Sequence, residues 1–200
     1  MVGVLNLFLC VCLVGNAVGF ALSTKSNEAK IALLDLVGNN RTRPPQRKEV
    51  EALVEQLRTL RKPGSWIGTV NSVKGKWKVL WTSEDEVNIF VKLGLVKDRG
   101  EGAIQEVTQI IGDGTIANNI PFSGGGYLGV TGTCEKSSRV GRSEFAFTDA
   151  KLSLAWLRQG EPFDFPPLGI GWFDTIYCDS EIRCDFNSRN DILILKRVRG

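Results

Sequence analysis

The chain has 200 residues, 42% of them apolar, with 25 basic and 22 acidic side chains and a net charge of +3. This apolar content is enough for the core of one domain, so the sequence is not that of a disordered protein. The balanced charge disfavours nucleic-acid binding, which needs a concentrated basic face, and the absence of histidine removes the commonest general base and most zinc sites.

The first segment of the chain predicts a targeting signal. Residues 1–24 carry no charged side chain, and their apolar run from Val2 to Val14 is shorter than the ~20 residues that span a bilayer. Cleavage after Gly19 would expose Phe20 ahead of a stretch with serine, threonine and lysine, which resembles the two-part plastid signals of algae with secondary plastids. We predict that residues 1–24 are a cleaved signal and plastid-targeting segment. Secretion is the alternative.

Two amphipathic helices are predicted in a segment covering residues 25–64. The first runs from Glu28 to about Val37 and the second ends before Pro63. We expect both apolar faces to pack on the rest of the chain rather than lie on a membrane, because the second helix carries glutamates that an anionic membrane surface would repel. The apolar stripe of the second helix consists of Val50, Leu53, Val54, Leu57 and Leu60.

From Gly75 onward the pattern alternates between apolar and polar residues, which predicts a mainly β domain over residues 65–200. About eight or nine antiparallel strands with short links favour a closed barrel that can enclose a pocket. Asp113-Gly114 predicts a hairpin turn, and residues 149–171 are expected to form a proline-containing insertion. The predicted strands are 75–82, 87–95, 103–111, 115–122, 127–134, 143–148, 173–178, 182–186 and 192–198.

No residues form a pattern typical of an active site. The glycine cluster at 124–126 lacks the helix that a phosphate loop requires, and the cysteines lack metal-ligand spacing, although Cys178 and Cys184 could face one another across a turn. We therefore predict no catalytic residue, no metal and no cofactor. The carboxylates near the last hairpin are interpreted as turn and solvent-facing residues: Asp174, Asp179, Glu181 and Asp185.

Polar residues inside apolar strands are more informative. Gln105 and Gln109 share one face of a strand, and Arg183 lies between Ile182 and Cys184. Such groups need hydrogen-bond partners when buried, and binding pockets place a few of them in apolar walls. They contact a ligand, or else they join strand ends or face water.

Four ordered segments carry a family resemblance. The pattern G-x-W-x-L-x-Y-T-S is matched by Gly75, Trp77, Val79 or Leu80, Trp81, Thr82 and Ser83. A Q-x-I strand followed by a turn and an asparagine is matched by Gln109, Ile111 and Asn118. The pattern R-V-x-V-x-F is approximated by Arg139, Val140, Phe145 and Phe147, and the pattern T-x-Y-L-D-x-x-L-R-I is matched by Thr175, Tyr177, Cys178, Asp179, Ile182, Arg183 and Cys184. With them, residues 26–199 resemble the plastid lipid-associated proteins, the plant and algal fibrillins.

This resemblance implies a lipocalin-like barrel that is not an enzyme. It implies binding or organising of isoprenoids, quinones, pigments or other lipids at plastoglobules or thylakoids, with peripheral contact to their surfaces. Two alternatives are a structural coat protein without an internal ligand and an accessory subunit of a lipid-biosynthetic enzyme.

The alternation places Trp77, Val79 and Trp81 on one face of the first strand. In a lipocalin-like barrel the first of these tryptophans closes the floor under a basic side chain, so Gly75, Trp77 and Arg197, or else Lys196, are predicted to be structural. The predicted lipid contacts are Trp81, Gln109, Phe147, Trp172 and Arg183.

Overall fold

The structure is a computed structural model that describes residues 24–38, 45–60, 70–84, 107–122, 125–155, 161–164, 166 and 169–199. The predicted strand 87–95, Gln105 and the predicted signal up to residue 23 lie outside these ranges. The helices are α1 over residues 24–37, α2 over Arg47–Thr59 and α3 over Val70–Val73. Within the described ranges, no helix has both the length and the apolar character needed to cross a membrane.

In the part of the chain that the structure describes, nine strands form one antiparallel sheet that closes on itself. Starting from β1, the barrel passes through β2, β3, β4, β5, β7, β8 and β9 and returns to β1, while β6 lies outside and pairs only with β5. The prediction of a mainly β, closed antiparallel barrel is confirmed. The strands are β1 Gly75–Thr82, β2 Thr108–Ile111, β3 Thr115–Pro121, β4 Gly126–Lys136, β5 Arg142–Leu154, β6 Phe163–Asp164, β7 Ile170–Cys178, β8 Ile182–Asn187 and β9 Ile192–Arg197.

The predicted insertion at 149–171 is wrong at both of its ends. β5 continues to Leu154 because β4 keeps pairing with it as far as Gly126, across a register shift between Thr131 and Gly132. Glycine is required at this register shift, since a Cβ on Gly132 would overlap the backbone oxygen of Ala146 in β5. At the other end β7 already begins at Ile170.

Helices α1 and α2 pack on the outside of the barrel, as their amphipathic patterns predict. Their buried side chains, among them Leu33, Val54 and Leu57, share one cluster with outward-facing residues of β8 and β9 such as Ile182 and Ile194. Burial of this apolar surface is the main force that holds the helices on the sheet.

A β-bulge in β1 changes which of its residues face the barrel interior. The pairing of β1 with β9 shifts between Val79 and Trp81, so β1 contains one extra residue at this point. The inward and outward alternation of its side chains is therefore shifted by one position. Trp77 and Val79 pack inside the barrel, whereas Leu80 and Trp81 both pack against the cluster beneath the helices. The prediction that Trp81 shares a face with Trp77 and Val79 is therefore wrong.

Candidate functional site

One end of the barrel is closed by an aromatic–guanidinium stack. The fully buried Trp77 donates from Nε1 to the carbonyl of Val73 in α3 at 2.7 Å, and Cζ of Arg197 lies 4.0 Å from the centre of its ring. Arg197 also donates to the carbonyl of Lys74 at 2.8 Å. The basic side chain over the tryptophan is thus Arg197 rather than Lys196, and the stack holds the short helix against the barrel.

Gly75 is needed at this closed end for two reasons. Its φ of +127° is a conformation that side chains rarely adopt, and a Cβ there would lie 2.5 Å from Nη1 of Arg197. The glycine of the G-x-W segment therefore makes room for the guanidinium that covers Trp77.

Above Trp77 the barrel encloses a cavity of about 480 Å³. Exposed residues line its far end, including Ile170, which is 83% exposed, so the cavity reaches the surface at the end opposite the tryptophan. Most of the wall is apolar, and its apolar side chains come from six barrel strands and from the residue that precedes β2. They are Val79, Val107, Ile116, Ile120, Leu128, Val130, Phe145, Phe147, Ile170, Phe173 and Leu193.

A buried polar cluster crosses the barrel interior beside this cavity. Arg183, which is 0% exposed, donates from Nε to Oδ2 of Asp185 at 2.8 Å and from Nη2 to Oε1 of Gln109. The hydroxyl of Thr175 donates to Oδ1 of Asp185 at 2.9 Å. Arg183 also lies over the ring of Trp77, with its Cζ 4.9 Å from the ring centre. The charged pair is therefore removed from water but is held by hydrogen bonds on several sides.

The interpretation of Asp185 as a solvent-facing residue is wrong, because its side chain is 2% exposed. Burial raises the pKa of Asp185, while the neighbouring guanidinium of Arg183 and the hydroxyl of Thr175 oppose the rise. The signal was present in the sequence, since residues 183, 185 and 187 alternate on one face of β8 with the apolar residues 182, 184 and 186. The apolar set faces the helices, and the polar set faces inward.

Three buried polar atoms of the described chain have no hydrogen-bond partner: Asn118 Oδ1, Ser143 Oγ and Arg183 Nη1. Asn118 lies beside Gln109 in the pairing of β2 with β3, and both residues line the cavity. A buried polar atom without a partner costs free energy, so Asn118 adds a second polar group that a bound molecule could satisfy.

The predicted lipid contacts separate into two groups. Gln109 and Phe147 line the cavity, and Arg183 bonds to two residues that line it. Trp81 and Trp172 are not among the described residues of its wall. Trp172 stacks with Arg142, whose Cζ lies 3.3 Å from the centre of its ring, while the next residue along the strand, Phe173, faces inward.

The cysteines do not form a disulfide among the described residues, where Cys134, Cys178 and Cys184 are all free. Cys178 packs with the interior cluster and Cys184 with the cluster beneath the helices, so they lie on opposite faces of the sheet. The described ranges also contain no group of three or more potential metal ligands of the histidine, cysteine or carboxylate type.

These features define a small lipocalin-like barrel, closed at one end by a tryptophan and an arginine, with an apolar cavity that contains a few polar groups. The PAP_fibrillin family model matches residues 27–131 of the chain. The chain is also 30% identical to the probable plastid-lipid-associated protein 11, chloroplastic, of Arabidopsis thaliana, in an alignment of 182 positions that covers 86% of this chain and 81% of that protein. The chain therefore belongs to the plastid lipid-associated protein, or fibrillin, family. No solved structure matches it.

Proposed function

We propose that this protein is a plastid protein that holds a hydrophobic metabolite, such as an isoprenoid, a quinone or a pigment, inside its barrel and carries it at plastoglobules or thylakoids. The observation that supports this most directly is the apolar-walled cavity of about 480 Å³. Cavities of roughly 300–1,000 Å³ with apolar walls and a few polar groups are typical of small-molecule sites. Family membership and the chloroplastic relative support the plastid location.

Affinity in such a site comes mainly from apolar surface removed from water, at about 25 cal/mol per Å². The role is binding rather than catalysis. Both carboxylate oxygens of Asp185 already accept hydrogen bonds, from Arg183 and from Thr175, so this carboxylate is poorly placed to act as a base.

The test of internal binding uses two matched substitutions on neighbouring residues of β4. Val130 lines the cavity, whereas Thr131 is exposed on the outside. The purified wild-type protein is incubated with a plastid lipid extract, and retained lipids are identified by native mass spectrometry. We expect Val130→Phe to reduce retention several-fold and Thr131→Phe to leave it unchanged. Retention by the wild type that is no greater than that by an unrelated barrel protein would refute the proposal.

The coat-protein alternative predicts that lipid contact occurs on the outer surface and needs no cavity. If Thr131→Phe and Val130→Phe retained lipid equally well, the coat would be favoured over the internal site. Location is tested separately with a fluorescent protein fused to the C-terminus. Signal that coincides with chlorophyll supports the plastid, and signal in the growth medium supports secretion.

A further inference from the structure

The orientation of the Gln109 side chain is fixed by its partner. A guanidinium has only hydrogen-bond donors, so the atom of the Gln109 amide that faces Nη2 of Arg183 must be the oxygen. The other end of the amide is therefore its NH₂ group, which is a donor. Since Gln109 lines the cavity, this donor belongs to the wall that a bound molecule would meet.

The charge beside this donor is balanced within the protein. Arg183 is paired with Asp185, and both carboxylate oxygens accept hydrogen bonds, which is the arrangement expected of the ionised form. Asp185 lines the cavity, but Arg183 is not among the described residues of the wall. An anionic head group in the cavity would therefore meet the carboxylate of the pair before its guanidinium, and it would have to lose its hydration to do so.

The donor also lies deep in the barrel. In the pairing of β1 with β2, Gln109 is opposite Trp77, the residue that closes the floor. Val107 is the next inward-facing residue of the chain toward the opposite end, where the exposed Ile170 lines the cavity. A head group bonded to Gln109 would point toward the closed end, and an apolar tail would extend toward the surface.

We propose that the cavity selects ligands whose head group is uncharged and accepts a hydrogen bond, such as a carbonyl, ester or hydroxyl oxygen, and that Gln109 is the donor that sets this preference. The ligand enters head first, and fatty-acid anions are disfavoured by Asp185. This inference rests on the proposed function, and it narrows the ligand to a chemical class.

The first test needs no substitution. Dodecane, methyl dodecanoate and dodecanoate have similar tails and differ at the head, and their binding to the purified wild-type protein is compared at pH 8 by displacement of a fluorescent apolar probe. We expect the ester to bind about fivefold or more tightly than dodecane, because it gains one hydrogen bond in an apolar site, and dodecanoate to bind more weakly than the ester. Dodecanoate binding at least as tightly as the ester would overturn the inference.

The second test removes the donor and adds a negative charge, and its control adds the same charge away from the cavity. Gln109→Glu keeps an oxygen for Arg183 to bond but replaces the NH₂ with a second acceptor, so we expect the preference for the ester over dodecane to disappear. Asn119→Asp makes the same chemical change on an exposed residue of the neighbouring strand β3, and there the preference should persist. A Gln109→Glu protein that folds and still prefers the ester would overturn the role of Gln109. If this variant does not fold, the head-group series on the wild type still tests the selectivity.

The same ligand series distinguishes a failure of this inference from a failure of the proposed function. If the purified protein binds none of the three compounds, internal binding itself fails and the inference fails with it. If all three bind with equal affinity, the apolar cavity is supported and only the head-group selectivity is overturned.

Discussion

Replacing Trp81 with phenylalanine should weaken the fold but leave ligand binding unchanged. The bulge in β1 places Trp81 between the barrel and the helices, where it is 7% exposed, and not in the wall of the cavity. A tryptophan that contacted the ligand would show the opposite behaviour. The substitution therefore discriminates between a position beneath the helices and a position in the cavity wall.

The expected loss follows from the buried area. Exchanging an indole for a phenyl ring removes roughly 50 Å² of buried surface, about 1.3 kcal/mol at ~25 cal/mol per Å². The gap left behind adds to this, for a total of about 1.5–2 kcal/mol. In a protein of this size each kcal/mol lowers Tm by roughly 2–4 °C, so Trp81→Phe should lower it by about 3–8 °C.

The assay combines thermal unfolding, followed by circular dichroism, with binding of methyl dodecanoate. Trp172→Phe is the control, because its ring stacks with Arg142 outside the apolar clusters, and it should change Tm by less than half as much. Phe147→Leu, a change in the cavity wall, should alter affinity instead. If Trp81→Phe weakened binding fivefold at an unchanged Tm, the placement of this residue beneath the helices would be refuted.

Three further results are expected. Arg197→Lys should lower the free energy of unfolding in urea by about 2 kcal/mol, because the stack on the tryptophan and the bonds to backbone carbonyls are lost. Lys30 lowers the pKa of Glu181, and it also lowers the pKa of Asp179, where burial opposes the shift. The stabilisation of the fold by these two ion pairs is therefore complete above pH 5 and is lost as the pH falls below 4. Lys30→Met should therefore lower Tm at pH 7 but not at pH 2.5. Burial raises the pKa of Cys178 to about 11, so its thiol should react with Ellman's reagent at pH 8 much more slowly than it does in denaturant.

Each of these results has a matched control. Arg199→Lys makes the same exchange at an exposed residue and should leave urea unfolding unchanged, so an equal effect would contradict the role of Arg197. An equal loss of Tm at both pH values for Lys30→Met would show that the lysine acts through packing rather than charge. Fewer than three free thiols in the denatured protein would contradict the reduced state of the three described cysteines.

Alternation of apolar and polar residues predicted the strands well because most of the barrel obeys it. The predicted and observed bounds of β1, β3, β8 and β9 agree within one residue at each end. The failures occur where the backbone departs from regular geometry. A bulge is set by the register with the neighbouring strand, which is not local information, so alternation alone places Trp81 on the wrong face and ends β5 too early.

The sequence predicts only part of the candidate site, because the burial of a polar side chain also depends on residues that are distant along the chain. Gln109 and Arg183 stood out because they are polar residues in apolar strands. Asp185 does not stand out in the sequence, because a carboxylate near a hairpin is usually solvated. Its burial depends on partners from β8 and from β7 that only the folded barrel brings together.

The closure of the barrel floor also determines when the protein can fold. Trp77 comes from the first strand of the barrel, and Arg197, which covers it, comes from the last strand, β9. The pairing of β1 with β9 likewise joins residues more than a hundred positions apart. Contacts of such long sequence separation form late and slowly, so the barrel closes only when β9 has paired with β1. Until then the cavity has no floor, and the interior of the barrel cannot retain a bound molecule.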